Sequence, residues 1–317
     1  MPLVAVGRRS RGLPPASERI GNEPVRITSG PNGTSGGTIM NGTIAVGVTD
    51  ASAAQNALQW AIERAVARRE RLRLVSVVGT AWGIGAEDTL IAHATRRAEA
   101  ILEYAAEKAR AAGVDAETVI ERGDPVARLV DVSQQVDLLV IGSDFARDRS
   151  ALRGVRGVRI TAAAGCPVVV VPEVVSRERA GVVVGVDGSE ASERAIAFAA
   201  AEADRTGEGL TAVMTWSPVP VPFELDEYPQ DYIDRMQDIT TEDLAISLAG
   251  LRQDYPDLAV TTIVESGYPA QVLTRTAHSA RLLVVGSHGR GAVARFLLGS
   301  TSHAVLSHLP TVTVVVR

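Results

Sequence analysis

The same series of landmarks occurs twice along this 317-residue chain. Gly47 and Gly185 each follow the first apolar run of one half, and Gly142 and Gly286 each follow a later apolar run. A proline precedes the last valine run of each half. The two members of each pair are separated by nearly the same length of chain. Self-similarity at a nearly constant separation indicates an internal duplication, so the second copy should repeat the fold of the first.

Within each copy, short β-branched runs alternate with segments of helical periodicity. The strand Thr43–Val48, for example, precedes a helix near Ser52–Arg69 whose apolar residues recur at helical spacing. The resulting order, βαβαβαβαβ, predicts a parallel sheet with helices on both faces. The expected fold class is therefore α/β, with two tandem, doubly wound, five-stranded parallel sheets of the Rossmann-like type.

Three local expectations can be compared directly with a structure. Asp124-Pro125 should open a helix, with the aspartate as its cap and the proline in its first turn. Tyr232–Gln253 should form one continuous helix. The last strand, Thr311–Arg317, is an apolar edge with nothing after it, and such an edge invites pairing.

The chain divides into an extension and two units. Residues 1–41 are rich in Gly, Pro, Ser, Arg and Asn without periodicity, which predicts a disordered extension. Residues 42–175 form the first copy, called unit 1 below, and residues 180–317 form the second, called unit 2. Met40 directly precedes the first strand, so the sequence leaves open whether Met1 or Met40 is the true start.

Composition limits the classes of partner and compartment. The hydrophobic content is 46% with only 4% aromatic residues, which suits buried parallel strands covered by Ala-rich helices. A net charge of −5 argues against nucleic acid as a partner. One cysteine, Cys166, forms no intrachain disulfide and fits a reducing cytoplasm. No apolar run approaches the roughly 18 residues of a membrane helix. We therefore expect a cytoplasmic protein that does not enter membranes.

The most informative stretch is a glycine-rich segment in unit 2. Residues 284–301 read VVGSHGRGAVARFLLGST: a strand ends at Gly286, a turn follows, and nine residues separate Gly289 from Gly299-Ser300. Glycine backbone can close on phosphate oxygens, and a helix start adds its partial positive charge. The loop after the first strand of unit 2, Asp187-Gly-Ser, should meet this turn, because ligands bind at the carboxyl ends of such strands.

These residues resemble the universal stress protein family, in a tandem form that covers residues 42–317. The spacing Gly286-x2-Gly289-x9-Gly299-Ser300 is similar to the glycine motif of the family's ATP-binding branch, and Val184-Gly-Val-Asp-Gly-Ser189 is similar to the segment before it. The resemblance implies a fold like that of the adenine nucleotide alpha hydrolases. It also implies that the ligand is ATP, taken up with Mg²⁺, and that the role is regulatory, in a stress or dormancy response.

The resemblance assigns roles residue by residue. Asp187, with its neighbour Gly188, corresponds to the aspartate that meets adenine. The turn that passes the ribose and phosphates corresponds to Gly286, His288 and Gly289. Apart from the resemblance, Arg290 could add charge to the phosphates or could equally point into water. The helix start that binds phosphate oxygens corresponds to Gly299, Ser300 and Thr301. The family also pairs its terminal strands across units, so Val168–Val171 and Val312–Val316 should make an intramolecular pseudo-dimer, and two chains should form a homodimer.

Unit 1 departs from this pattern. Thr49 occupies the place of Asp187, although Asp50 is adjacent, and Phe145 occupies that of Gly289. Asp144 replaces His288 and would repel phosphates, and the segment Arg153–Arg159 has no clear Gly-Ser match. We expect unit 1 to bind ATP weakly or not at all, and to be structural or to hold another ligand.

The sequence contains no clear catalytic constellation. It has no G-x4-G-K-[S/T] motif, no G-x-G-x-x-G motif and no Ser-His-Asp or Cys-His order, which leaves at most slow ATP hydrolysis. Two alternatives stay open: an adenine-nucleotide-dependent enzyme of the same fold group, and an interaction module without ligand whose glycines are ordinary turns. His288 could simply be a solvated loop residue, and His303 and His308 lack a third ligand for a metal.

Overall fold

The computed structural model describes residues 25–27, 42–79, 87–143, 155–176, 178–218, 228–289 and 298–317. The strands are β1 Val25–Ile27, β2 Thr43–Gly47, β3 Arg71–Val78, β4 Ala116–Arg122, β5 Leu138–Gly142, β6 Val168–Val171, β7 Val182–Gly185, β8 Leu210–Trp216, β9 Val260–Ser266, β10 Leu282–Gly286 and β11 Val312–Val316. The helices are α1 Ser52–Arg68, α2 Glu87–Ala111, α3 Pro125–Ser133, α4 Val155–Ala163, α5 Glu190–Thr206, α6 Gln230–Ser247, α7 Leu251–Asp254, α8 Pro269–Thr276 and α9 Ser300–His308.

In the described part of the chain, all strands belong to one sheet of order β1-β4-β3-β2-β5-β6-β11-β10-β7-β8-β9. Pairing is parallel within β4-β3-β2-β5-β6 and within β11-β10-β7-β8-β9. The predicted α/β class and the two five-stranded parallel arrangements are therefore confirmed. The two sheets are, however, continuous with each other.

The junction between the two units is an antiparallel pair formed by β6 and β11. Val169 lies opposite Val314 in this pair, and Val168 lies opposite Val315. The cross-pairing of terminal strands that the family resemblance implied is thus present within one chain. The pairing expected of the apolar last strand is also confirmed, because β11 has a partner on each side and all five of its residues are buried.

The N-terminal extension differs from expectation at one place. Val25–Ile27 form strand β1, which pairs antiparallel with β4 and extends the sheet beyond unit 1. For these three residues the expectation of disorder is corrected, because the unpaired edge of β4 accepts backbone hydrogen bonds from a short β-branched segment. The remainder of residues 1–41 lies outside the described part.

Helices cover both faces of the sheet, and two buried clusters form beneath them. One lies under α1, α2, α5 and α6, and the other under α3, α4, α8 and α9. Alanines in α1 and α5, such as Ala61 and Ala199, are fully buried and let these helices approach the sheet closely. The Ala- and Val-rich core expected from the low aromatic content is present.

Of the local expectations, the structure confirms the start of one helix and corrects the length of another. Asp124 caps α3 as predicted, since its Oδ2 accepts a hydrogen bond from the Ala127 amide at 3.0 Å and Pro125 opens the helix. The continuous helix expected over Tyr232–Gln253 instead divides into α6 and α7. Gly250, between them, has a φ of 90°, which interrupts the helical backbone. Among the described helices, none is long and apolar enough to cross a membrane.

Candidate functional site

The loop after β7 holds a carboxylate in a fixed position at the edge of the sheet. Asp187 Oδ1 accepts a hydrogen bond from the Ser189 amide at 3.0 Å. Gly188 between them has a φ of 73°, a conformation that glycine adopts without steric cost. Ser189 then caps α5, because its Oγ accepts a hydrogen bond from the Ser192 amide at 3.2 Å. One oxygen of Asp187 is therefore used in the turn, and Oδ2 is left to point elsewhere.

The loop after β10 begins with a glycine that the fold itself requires. A Cβ on Gly286 would lie 3.0 Å from the carbonyl carbon of Ala191, because the first turn of α5 crosses here. The backbone is held further by Ser302, whose Oγ donates to the Gly286 carbonyl at 2.5 Å. Gly286 therefore has a packing role that requires no ligand.

The two loops meet at Gly289. A Cβ built on Gly289 would lie only 2.4 Å from Asp187 Oδ2, so the carboxylate of one turn faces the bare backbone of the other. A second contact joins them, since Ser189 Oγ donates to the His288 carbonyl at 3.4 Å. The adjacency of these two turns, on which the nucleotide hypothesis depends, is thus present.

The start of α9 lies against the same turn. The Gly299 amide donates to the Ser287 carbonyl at 2.8 Å, which brings the chain back beside residues 287–289. A Cβ on Gly299 would lie 3.2 Å from that carbonyl oxygen, so a bare backbone fits best here. The N-cap residue of α9 is Gly299, which has no side chain to cap the helix, and Ser300 and Thr301 are its first two residues. Its first amides have no partner inside the helix, and they carry the positive end of the helix dipole.

His288 adds a polar atom without a partner. Its Nδ1 lies 2.9 Å from Ser287 Oγ, so this side of the ring is engaged. Its Nε2 is buried and, among the described residues, makes no hydrogen bond. An unsatisfied buried nitrogen costs free energy unless a further group pairs with it. Arg290, the other charged residue predicted here, lies outside the described part of the chain.

Unit 1 builds the corresponding turn with different chemistry. Thr49 Oγ1 accepts a hydrogen bond from the Ala51 amide at 3.3 Å, as Asp187 does from Ser189 in unit 2. The neighbouring Asp50 is exposed and forms an ion pair with Arg97 of α2. Asp50 is therefore directed away from the turn and does not replace Asp187. Asp144, Phe145 and Arg153 lie outside the described residues.

A cavity of about 230 Å³ opens at the same edge of unit 1. Most of its wall is apolar and includes Val48, Val75, Leu129, Ile141 and Ile160. Arg156 of α4 also lines it. Small-molecule sites more often measure about 300–1,000 Å³. Among the described residues that line it there is no Asp or Glu, so the cavity differs from the turn of unit 2 in having no carboxylate. The sequence had given no signal for this cavity.

Some contacts in unit 2 were not anticipated from the sequence. Ser189 was placed in the loop but not as the residue that links the two turns, and Ser302 was not singled out. Serine at the start of a helix is a common cap, which is the signal that could have identified Ser189. No group of three or more His, Cys, Asp or Glu side chains that could hold a metal occurs in the part of the chain described.

Comparison with known proteins decides the family. The sequence model of the universal stress protein family matches residues 40–172 and again residues 180–317. The chain belongs to the universal stress protein family. Universal stress protein Rv2005c of Mycobacterium tuberculosis is 35% identical over 296 residues, which cover 86% of this chain and 96% of that protein. Universal stress protein Rv2623 of the same organism is 34% identical over 290 residues, with the same coverage.

Solved structures agree on the fold. A universal stress protein from Archaeoglobus fulgidus aligns with a TM-score of 0.65 at 21% identity, over 87% of this chain and 96% of its own. A protein of unknown function from Pseudomonas aeruginosa, PA1789, aligns with a TM-score of 0.61 at 16% identity, over 86% and 92%. At these identities the likeness concerns the fold alone.

Proposed function

We propose that this universal stress protein binds ATP at the carboxyl edge of unit 2, and that the bound nucleotide controls a regulatory role in a stress or dormancy response. The observation that carries the proposal is the meeting of Asp187 Oδ2 with the backbone of Gly289, beside the uncapped start of α9. A carboxylate accepts hydrogen bonds from the polar groups of a nucleoside, whereas bare amides and a helix start attract phosphate.

Each part of the site then has a distinct task. Asp187 and the backbone at Gly188 hold the nucleoside. Gly289 lets the chain pass close to the ribose and phosphates. Nε2 of His288, which has no hydrogen-bond partner among the described residues, would pair with a ligand atom. The amides and hydroxyls of Ser300 and Thr301 bind phosphate oxygens, with Arg290 as an added charge. Gly286 and Gly299 keep the supporting backbone in place.

Mg²⁺ enters with the nucleotide rather than at a protein-built centre. Among the described residues no cluster of metal-ligating side chains exists, and Mg²⁺ usually keeps waters and binds through substrate phosphates. The phosphates of ATP would carry the ion, with few protein ligands. No residue of the described site is arranged as a nucleophile or base, so regulation is favoured over turnover, with at most slow hydrolysis.

Other members of the family have been solved with ligands. One structure is a universal stress protein in complex with cAMP, and another, from Arabidopsis thaliana, has AMP bound. Those ligands belong to those proteins. For this chain the support is the geometry of its own two turns. We place the protein in the cytoplasm on the basis of its one, buried cysteine. A homodimer of chains would need surfaces other than β11, which is already paired.

Thermal denaturation with and without Mg-ATP tests the site. At a nucleotide concentration of 100 Kd, binding should stabilise the folded state by roughly 2.7 kcal/mol. The variants Asp187→Ala and Gly289→Glu should lose this stabilisation while still folding without ligand, and the control Thr49→Ala in unit 1 should keep it.

Three outcomes separate the alternatives. If the wild-type protein shows no shift, and protein purified without added ligand carries no nucleotide, the proposal is refuted in favour of an interaction module without ligand. Repeated turnover faster than about one per minute, a low rate for an enzyme, would indicate an enzyme of the same fold group. If Asp187→Ala keeps the stabilisation by Mg-ATP and Thr49→Ala loses it, the nucleotide binds in unit 1 instead.

A further inference from the structure

Side chains of α1 and α5 meet across the junction between unit 1 and unit 2. Each of these helices has 17 residues. Their first residues, Ser52 and Glu190, have the same separation along the chain as Gly47 and Gly185, so the two helices are copies in register. Residues of α1 and α5 with this separation therefore occupy the same position of the duplicated unit.

One duplicated position carries opposite charges. Arg64 of α1 and Glu202 of α5 occupy the same position of their helices, and they form an ion pair with each other. Their side chains are 7% and 2% exposed, so the pair is buried. A second duplicated position lies beside it, since the Arg64 guanidinium lies 5.9 Å from the ring centroid of Trp60 and 5.3 Å from that of Phe198. One cation thus contacts the same aromatic position of both units.

Neighbouring charges extend this pair into a cluster. Arg205 donates to Glu202 Oε2 from two nitrogens, at 3.0 and 2.8 Å. Glu70 Oε2 lies 3.2 Å from Arg64 Nε, and Arg68 Nε lies 3.4 Å from Glu70 Oε1. Burial lowers the pKa of Arg64 to about 10, which leaves it charged at neutral pH. Glu70 and Arg205 thus pair with Arg64 and Glu202 inside their own units, and the contact of Arg64 with Glu202 is the one that needs unit 1 to face unit 2.

The two-fold relation between the two units determines which residues meet at their junction. When two identical copies pair about a two-fold axis, a residue on that axis meets its own copy. Because Arg64 and Glu202 are copies and meet each other, the pseudo-two-fold axis of the two units passes between them. Two units of the same kind, paired in this way, would bury two arginines or two glutamates against each other. Buried like charges oppose such pairing.

The strands at the junction offer no comparable selection. All four residues of β6 are valine, and β11 differs from an all-valine strand only at Thr313. Pairing between such strands is carried by the backbone and by apolar contact, which would be similar for any combination of units. Side chains outside these two strands are therefore better placed to select between units.

We propose that Arg64 and Glu202 make each unit fit only the other kind of unit. The pair selects unit 1 with unit 2 and rejects unit 1 with unit 1 and unit 2 with unit 2. The partner that this surface accepts is thus defined by charge: an α5-type helix with a buried carboxylate for unit 1, and an α1-type helix with a buried guanidinium for unit 2.

Complementary charge variants of the full chain test this selection. Every chain receives a flexible Gly/Ser insertion between Val175 and Ser176, so that units can pair within or between chains. Arg64→Glu leaves two glutamates at the axis of its own chain, and Glu202→Arg leaves two arginines. When the two variants are co-expressed with different tags, unit 1 of each chain finds a matching unit 2 on the other.

The expected result is a 1:1 complex of twice the chain mass, purified through both tags and measured by light scattering. Each variant alone should melt about 10 °C below the parent, as expected when one partner of a buried ion pair is reversed in a protein of this size. The complex, and the double variant Arg64→Glu/Glu202→Arg as a single chain, should regain the part of that loss that comes from the mismatched pair itself. The contacts of residue 64 with Glu70 and of residue 202 with Arg205 stay unfavourable. If a single variant does not fold alone, a folded complex obtained by co-expression supports the proposal in the same way.

A matched control uses an ion pair inside one unit. Arg73 of β3 and Glu117 of β4 are both in unit 1, so co-expression of Arg73→Glu with Glu117→Arg should give no two-chain complex. The proposal is overturned if the Arg64→Glu and Glu202→Arg chains also fail to combine. It is equally overturned if the double variant loses as much stability as the two single variants added together, because then the two charges are not coupled.

Discussion

The turns after the first strand of unit 1 and of unit 2 have the same hydrogen bond, from a backbone amide to a side-chain oxygen, but the accepting side chains differ. In unit 1 a hydroxyl of Thr49 accepts from the amide two residues on, and in unit 2 a carboxylate oxygen of Asp187 does so. The turn therefore needs an acceptor, not a charge. What unit 2 adds is the second oxygen of Asp187, which faces Gly289. Features shared by the two units belong to the fold, and this difference marks the candidate ligand site.

The same comparison distinguishes the glycines of the motif by the atoms that lie next to each of them. A Cβ on Gly142 would lie 2.5 Å from the Ala53 carbonyl carbon, and one on Gly286 would lie 3.0 Å from that of Ala191. Both strand ends thus need glycine because a helix start packs on them. For Gly289 the close atom is instead the end of the Asp187 side chain. Helix packing therefore explains the glycine at the strand end but not the one at Gly289.

The largest effect should follow from adding a methyl group at the strand ends. Gly142→Ala should destabilise the protein by about 3 kcal/mol and Gly286→Ala by about 1 kcal/mol, since overpacking against backbone forces local shifts. Equilibrium unfolding in urea measures both. Gly79→Ala is the matched control, because no atom of the described residues lies within 4 Å of a Cβ there. Equal stability of all three variants would show that the strand-end glycines are not required for packing.

Exchanging the turn residues between the units should separate stability from binding. Asp187→Thr places in unit 2 the residue that unit 1 uses, so the turn should form and the unfolding free energy should change by less than about 1 kcal/mol. The stabilisation by Mg-ATP, roughly 2.7 kcal/mol at 100 Kd in the wild-type protein, should disappear. Calorimetric titration of folded Asp187→Thr with Mg-ATP measures the loss.

The reverse exchange tests whether a carboxylate in the turn is enough to create a nucleotide site in unit 1. Thr49→Asp supplies unit 1 with the carboxylate but leaves Phe145 in place of the glycine, so no second nucleotide should bind. A stoichiometry that rises from one to two in this variant would mean that the aspartate alone defines the site. Retention of full binding by Asp187→Thr would instead show that the carboxylate does not contact the nucleotide.

Much of the fold could be predicted because the relevant signals are local and occur twice. Alternating β-branched runs and helical periods fixed the fold class and the number of parallel strands in each unit. The continuous sheet could not be derived from periodicity, because the meeting of β6 with β11 depends on contacts between distant parts of the chain, such as Val169 with Val314. It was available only from the family resemblance. Gly250 was read as part of a helix, since an isolated glycine is tolerated there and periodicity does not indicate its positive φ.

The sequence predicted which residues form the candidate site better than it predicted the contacts between them. The spacing of Gly286, Gly289 and Gly299 gave the loop, but only coordinates distinguish a glycine required by helix packing from one that faces a carboxylate. The buried pair Arg64–Glu202 was missed entirely, although a comparison of duplicated positions would have shown opposite charges at the same place in α1 and α5. Single-helix periodicity hides such a pair, because buried charges look like surface residues until their partner is known.

The smallest of the predicted effects concerns a position where the units differ in titratable chemistry. Cys166 precedes Pro167 in unit 1, whereas Leu309 precedes Pro310 in unit 2, and both side chains are buried. Burial, aided by the negative charge of Asp137, raises the pKa of the Cys166 thiol from 9.0 to about 12. Between these values the unfolded chain loses the thiol proton and the folded chain keeps it, so stability falls as pH rises.

Comparison with Cys166→Ala isolates this contribution from that of other titrating groups. The wild-type protein should lose about 1 kcal/mol more stability than the variant between pH 8 and pH 10, because the thiol ionises over this range in the unfolded state alone. Urea unfolding of both proteins at several pH values measures the difference. A difference that stays constant over this range would mean that the thiol ionises equally in both states. Because the position in unit 2 is leucine, any alkaline sensitivity of this origin should destabilise unit 1 first.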